Sequence, residues 1–196
     1  MHMESSKPSS VESLGLVRME ALHYYVHDLE RSRTFYADKL DFAEVSVSSE
    51  ALEERGKQRS ALFVAGDVRL LISAPLGEGG RAARWLKRHP DGVGTVVFEV
   101  ADIEHTFRVL DARGGTPMQD IQTFEEGDNV LRTFSVTTPF GSSTFRFVQR
   151  VSGDPMFIPG MKKHAEPKGG TNAFGFDKID HVTSNFETMS PALLWM

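Results

Sequence analysis

From Glu20 the chain "EALHYYVHD" reads as a strand, with Tyr24, Tyr25 and Val26 in a β-rich run. Behind Asp28, a residue suited to capping a helix, "DLERSRTFYADKL" spaces Leu29, Tyr36 and Leu40 as one helical face. Three β-rich stretches follow, "DFAEVSVSS", "RSALFVAG" and "VRLLISAPL", with Gly66-Asp67 supplying a hairpin turn between the last two. The pattern predicts one β-α-β-β-β unit.

A short helix in "RAARWLKRHP", stopped before Pro90, separates this unit from a second one with the same order. "VGTVVFEV" is its strand and "ADIEHTFRVLDARGG" its helix, ended by Gly114-Gly115. Three more β-rich stretches close it, the last being "STFRFVQR". The repetition predicts an α+β fold in which two curved half-barrel sheets cover each other across a cavity. Tyr25 and Phe98 are candidates to line that cavity, the core being the more ordinary place for aromatics.

On this pattern residues 1–16 form a polar, disordered leader and residues 17–150 the paired modules. Residues 151–178, punctuated by Pro155, Pro159, Pro167 and several glycines, form an irregular connector. "KIDHVTSNFETMSPALLWM" then repeats the order of the first module, so residues 179–196 are expected to form the first strand and helix of a further domain. Such a fragment has no partner within itself for "PALLWM". This tail is therefore expected to pack on the first domain, pair between chains or stay disordered, and residues 175–196 are expected to be removable without loss of the N-terminal fold.

Composition narrows the function. The formal charge of −5 gives no electrostatic footprint for nucleic acid or an anionic membrane, and the absence of cysteine removes disulfides and thiolate chemistry. No apolar run approaches the roughly 20 residues of a membrane span, and a cytoplasmic location is the default expectation. "GEGGRAARW" lacks the spacing and the Lys-Ser/Thr pair of a phosphate-binding loop, and "RWLKRH" and "MKKH" read as solvated basic faces. His27, beside Asp28, reads as exposed or capping; His89, His105 and His164 have no ligand-type neighbours at useful spacing.

Several segments resemble the vicinal oxygen chelate (glyoxalase/bleomycin resistance/dihydroxybiphenyl dioxygenase) superfamily. "HDLERSRTFYADKLDF" resembles its first helix. "KRHPDGVGTVVFEVADIEHTF", "TTPFGSSTFRFVQR" with "MFIPGM", and "IDHVTSNFETMSPALLWM" are similar, in order and spacing, to the 4-hydroxyphenylpyruvate dioxygenase family: the second module, the domain end, and the start of the catalytic domain. The resemblance implies an iron(II) enzyme that couples decarboxylation of a small aromatic 2-oxo acid to hydroxylation of its ring by dioxygen. It also implies a homo-oligomer.

The resemblance further implies a 2-His-1-carboxylate iron site. His181 matches its first histidine, with Thr183 on the same strand face and Asn185 at the strand end as substrate-pocket candidates. The other two ligands have no counterpart in these residues, so iron(II) is expected in an intact parent protein and not in this chain alone. Where superfamily members bind a metal with the first two modules, the matching positions here are His23, Thr95 and Arg146. A permanent cation among them opposes a divalent metal, which makes His23 a vestigial metal position.

Three functions stay in view. The chain is the non-catalytic N-terminal domain of such a dioxygenase or of a hydroxymandelate synthase, which shares the layout; or a metal-free module binding a small molecule in its cavity; or, against Thr95 and Arg146, a complete glyoxalase-like enzyme.

Overall fold

The computed structural model describes residues 12–185 and 188–195. Short polar side chains start its helices. Asp28 accepts from the Arg31 amide and begins α1 (Leu29–Arg33), which continues as a π-helical turn, Thr34–Lys39. Ser49 caps α2 (Glu50–Gly56) through the Leu52 amide; α3 (Arg81–Leu86) follows a glycine. Asp102 accepts from the Glu104 and His105 amides to start α4 (Ile103–Ala112), and these bonds hold its carboxyl below the usual range. The last helix is α5 (Ser190–Trp195).

The strands are β1 (Leu16–Tyr25), β2 (Ala43–Ser48), β3 (Gln58–Ala65), β4 (Val68–Pro75), β5 (Gly92–Val100), β6 (Gln122–Glu126), β7 (Asn129–Thr137), β8 (Thr144–Ser152) and β9 (Met161–Gly169). They form one sheet in the order β6-β7-β8-β5-β1-β4-β3-β2-β9. Each module thus runs outward from its own first strand, β1-β4-β3-β2 and β5-β8-β7-β6, and the two first strands pair antiparallel at the centre, with Leu22 opposite Val96 and His23 opposite Thr95. The first and last strands of each module pair in parallel. The two expected modules are both present.

Alternation along the strands sorts the side chains. Leu22, Phe63, Leu70 and Ile72 point to the helical side and pack with Phe42 and Tyr36; Ile103 and Leu110 of α4 cover Phe134, Val136 and Phe147 in the same way. Phe63 and Phe134 are fully buried, each stabilising the fold by roughly 1.5–3 kcal/mol. Phe98 belongs to this layer, in edge contact with Phe145 and stacked on Phe147. The expectation that Phe98 lines the cavity is corrected: it is one residue out of phase with Val97, which does.

The connector is also more ordered than its prolines suggest. Residues 161–169 form β9 on the free edge of β2, and the pairing jumps from Glu44 opposite Lys168 to Ser46 opposite Lys163. Residues 164–167 bulge against Val45, and an edge bulge is where a strand tolerates Pro167, which has no amide proton. The end of the supposed leader is held to the sheet and α4: Thr106 Oγ1 donates to the Leu14 carbonyl, the Ala101 amide to that of Gly15, and Leu16 already belongs to β1. Residues 1–11 lie outside the described residues.

The tail divides in two. Phe176 packs on Phe42 with ring centroids 5.1 Å apart, Ile179 joins the same cluster, and the Asp67 amide donates to the Asp177 carbonyl at 2.7 Å. The strand expected in "KIDHVTS" is absent: residues 178–185 carry no regular structure and pair with none of the described strands. In "PALLWM", Ala192 is buried and Leu193 exposed, while Met196 lies outside the described residues.

Candidate functional site

The concave face of the sheet encloses a cavity of about 320 Å³, lined by both modules. Its walls are the strand positions opposite in phase to the core: His23 and Tyr25 on β1, Leu62 on β3, Leu71 on β4, Val97 on β5 and Val148 on β8. The connector closes one side with Met156, Ile158, Pro159 and Met161.

A buried charge cluster holds that closure in place. Glu20, 3% exposed, accepts from Arg69 and, at 2.7 Å, from Arg150, and Arg18 approaches at 2.9 Å. The same arginines donate onward to the connector, Arg69 to the Pro155 carbonyl at 3.0 Å and Arg150 to that of Phe157 at 2.7 Å. Three cations around one carboxylate compensate its desolvation and fasten residues 155–157 to the sheet. These groups went unassigned in the sequence, although Glu20, Arg69 and Arg150 at inward-facing strand positions were a readable signal, since such residues are seldom buried unless paired.

Deeper in, His23 is 4% exposed and its Nε2 lies 2.8 Å from Ser73 Oγ. Ser73 in turn meets Ser60 Oγ at 2.6 Å and accepts from the Gln58 side-chain amide. Burial, and after it the charges of Arg146 and Arg81, push the His23 imidazolium far out of favour, so the ring is neutral. Its Nδ1 is buried without a partner among the described residues. Tyr25 stands 4.6 Å from the His23 ring, and the Arg81 guanidinium lies 5.8 Å from the centre of the Tyr25 ring.

Module symmetry defines the metal-type positions. Leu71 is opposite His23 and Thr144 opposite Thr95, so Ser73 and Arg146 each stand two residues farther along equivalent strands. The set is therefore one imidazole, two hydroxyl residues and a guanidinium, with Thr95 Oγ1 satisfied by Thr144 Oγ1 at 2.8 Å. No described cluster of three or more His, Asp or Glu side chains has the arrangement to hold a metal ion. This donor set does not fit iron(II), which needs imidazole and carboxylate together.

His181, Thr183 and Asn185 lie elsewhere. All three are exposed and outside the cavity lining; His181 Nδ1 is 2.7 Å from Asp180 Oδ2, and that bond lowers the Asp180 pKa. One imidazole beside one carboxylate does not make up an iron site. Among the remaining histidines, His27 contacts Asp91 at 2.6 Å, His89 stacks on Trp85 at 4.2 Å, and His105 reaches the Ser13 carbonyl at 2.8 Å. His164 and Lys163 are not the plain solvated face expected of "MKKH": His164 meets the buried Glu44 at 2.8 Å and Lys163 pairs with Asp154 at 2.5 Å.

Paired modules in the order 1-4-3-2, meeting first strand to first strand over a common cavity, define a class, and the chain belongs to it: the Glyoxalase/Bleomycin resistance protein/Dioxygenase superfamily, whose family model matches residues 18–143. Within that class it is similar to the 4-hydroxyphenylpyruvate dioxygenase of Dictyostelium discoideum, 25% identical over 180 residues that cover 88% of this chain and 48% of that one. The chain spans about half the length of the curated relatives it matches. Solved structures share the fold. A variant 4-hydroxymandelate synthase from Streptomyces coelicolor superposes over 71% of this chain and 66% of its own (TM-score 0.50, 16% identity), and methylmalonyl-CoA epimerase from Mycobacterium tuberculosis over 76% and 93% (TM-score 0.55, 17% identity).

Proposed function

We propose that this chain serves as the non-catalytic N-terminal half of an iron(II)-dependent 4-hydroxyphenylpyruvate dioxygenase, oligomeric and cytoplasmic. In this reading residues 17–150 are the supporting domain, 151–178 the connection, and 179–196 the start of the catalytic domain. The observation that carries it is the donor set on the concave face: His23, Ser73, Thr95 and Arg146 occupy the metal-type positions of a fold whose relatives by sequence are named as dioxygenases. A metal reaction then has to be housed outside this module pair. His181, with Thr183 and Asn185 nearby, is assigned to that second site, where iron(II) would bind the 2-oxo acid and activate dioxygen.

The test is calorimetric titration of iron(II) into the 196-residue chain, with and without 4-hydroxyphenylpyruvate, alongside oxygen uptake by a longer form that carries this chain at its N-terminus. The expected result is no saturable iron binding by the chain alone, and iron-dependent uptake by the longer form that falls to background in His181→Ala. Iron-dependent turnover by the chain alone, or full uptake by the His181→Ala form, would overturn the proposal. Mass spectrometry of the product separates it from a hydroxymandelate-forming enzyme.

A further inference from the structure

The cavity holds more positive charge and more hydrogen-bonding capacity than its own residues use. Arg81 donates to the Ser142 carbonyl at 2.9 Å, and Arg146 reaches Ser135 Oγ at 3.4 Å; among the described residues neither has a carboxylate partner. The carboxylate that does line the cavity, Glu20, is already bound by Arg18, Arg69 and Arg150. In a chain of net charge −5 this is a local concentration of unmatched cations.

The second observation is independent of charge. His23 is only 4% exposed, it lines the cavity, and its Nδ1 has no partner among the described residues. Buried polar atoms are nearly always hydrogen-bonded, so an orphan on a cavity wall marks a place for an absent partner. Ser73 Oγ accepts from the Gln58 amide; when Ser60 also donates to it, its own proton goes to His23 Nε2 and Nδ1 carries the ring's N–H. The missing partner is then an acceptor.

Beyond this polar end the walls are apolar, with Leu62, Leu71, Val97, Leu131 and Val148 facing the space. A volume near 320 Å³ is at the lower end of the roughly 300–1,000 Å³ of ligand pockets, room for a compact ligand. We propose that this cavity binds a small organic carboxylate with an apolar body, the carboxylate held by Arg146, Arg81 and His23 Nδ1 and the body by the aliphatic walls. The site is separate from the iron chemistry assigned to His181, so its success or failure does not depend on that assignment.

The test uses phenylacetate as probe and phenylacetamide as its uncharged match, each titrated by calorimetry into the full 196-residue chain. Phenylacetate is expected to bind saturably and phenylacetamide at least about tenfold more weakly, since a hydrogen bond to a charged group is worth more than one to a neutral group. Arg146→Gln is expected to weaken phenylacetate by about tenfold while leaving phenylacetamide unchanged. Arg81→Gln gives the same readout if Arg146→Gln fails to fold, and the His23 ring nitrogen resonances should shift on adding phenylacetate. Equal affinity for both probes, no saturation by phenylacetate at millimolar concentration, or binding insensitive to both arginine variants would overturn the proposal.

Discussion

His164 Nε2 lies 2.8 Å from Oε1 of the buried Glu44, whose other oxygen is held by Arg33, so a side chain from the connector completes a polar cluster between α1 and β2. The contact joins β9 to the sheet by more than its ladder. His164→Ala should cost about 1–2 kcal/mol. The loss should be local: amide exchange at residues 161–169 should accelerate while β1 stays protected. Unchanged exchange in β9 would show the contact to be incidental.

Glu20 has the opposite balance, with one buried carboxylate serving three arginines. Glu20→Ala would leave Arg69, 6% exposed on its side chain, without its anion and would release the connector at Pro155 and Phe157. Removing one partner of such a cluster costs about 3–5 kcal/mol. Guanidinium unfolding should show that loss; a shift below about 1 kcal/mol would place the cluster in solvent instead.

Gly94 is where the sheet admits Tyr25. A Cβ there would fall 2.2 Å from the Tyr25 ring and 3.2 Å from Trp85. Gly94→Ala should destabilise by about 1–3 kcal/mol through overpacking, and should shift Tyr25 and Trp85 resonances together. Retained stability with unmoved rings would contradict this packing.

Below neutral pH, His23 makes its own contribution to unfolding. The unfolded chain takes up a proton near pH 6.5 while the buried ring does not, because burial and the two arginines depress its folded value. Stability from this group is complete above about pH 6.5 and falls as the pH drops below it, by up to about 1.4 kcal/mol per pH unit. The depressed carboxyls, among them Asp102 and Asp154, lose their contribution only at more acid pH, below the ordinary carboxylate value near 3.8. Denaturant midpoints between pH 7 and 5 should therefore fall more steeply in the natural chain than in His23→Gln. Parallel slopes would refute the assignment.

The tail should tolerate truncation at one point and not at another. Ending the chain after Ile179 keeps Phe176 on Phe42 and the Asp177 carbonyl on Asp67; ending it after Phe174 removes both and should cost about 1–2 kcal/mol. Both forms should still unfold cooperatively, as expected if residues 175–196 can be removed without loss of the N-terminal fold. Thermal unfolding of the two truncated forms distinguishes these outcomes.

The module repeat was legible because most of its elements carry a local signal: Asp28 caps a helix, Gly114-Gly115 ends another, Gly66-Asp67 turns a hairpin, and the strands are rich in β-branched and aromatic residues, whereas α2 was not foreseen. What was missed depended on partners. β9 has little strand propensity and contains Pro167, and it becomes a strand because β2 offers it an edge. "KIDHVTS" has better strand composition and, unpaired with any described strand, forms none. The cavity's inward face was half readable: His23, Thr95 and Arg146 were found by resemblance. Ser73 and Arg81 join them only through register and a helix position that periodicity does not report.

The docked connector also sets how motion passes along the chain. Residues 155–157 are held by arginines, 161–169 by a ladder and 171–173 by Asp41, whose carboxylate accepts from Thr171 and Ala173. A segment anchored at three successive points has almost no slack. It is a strut between the cavity mouth and Phe176, and it ends where its anchors end: residues 178–185, without regular structure, lie beyond it.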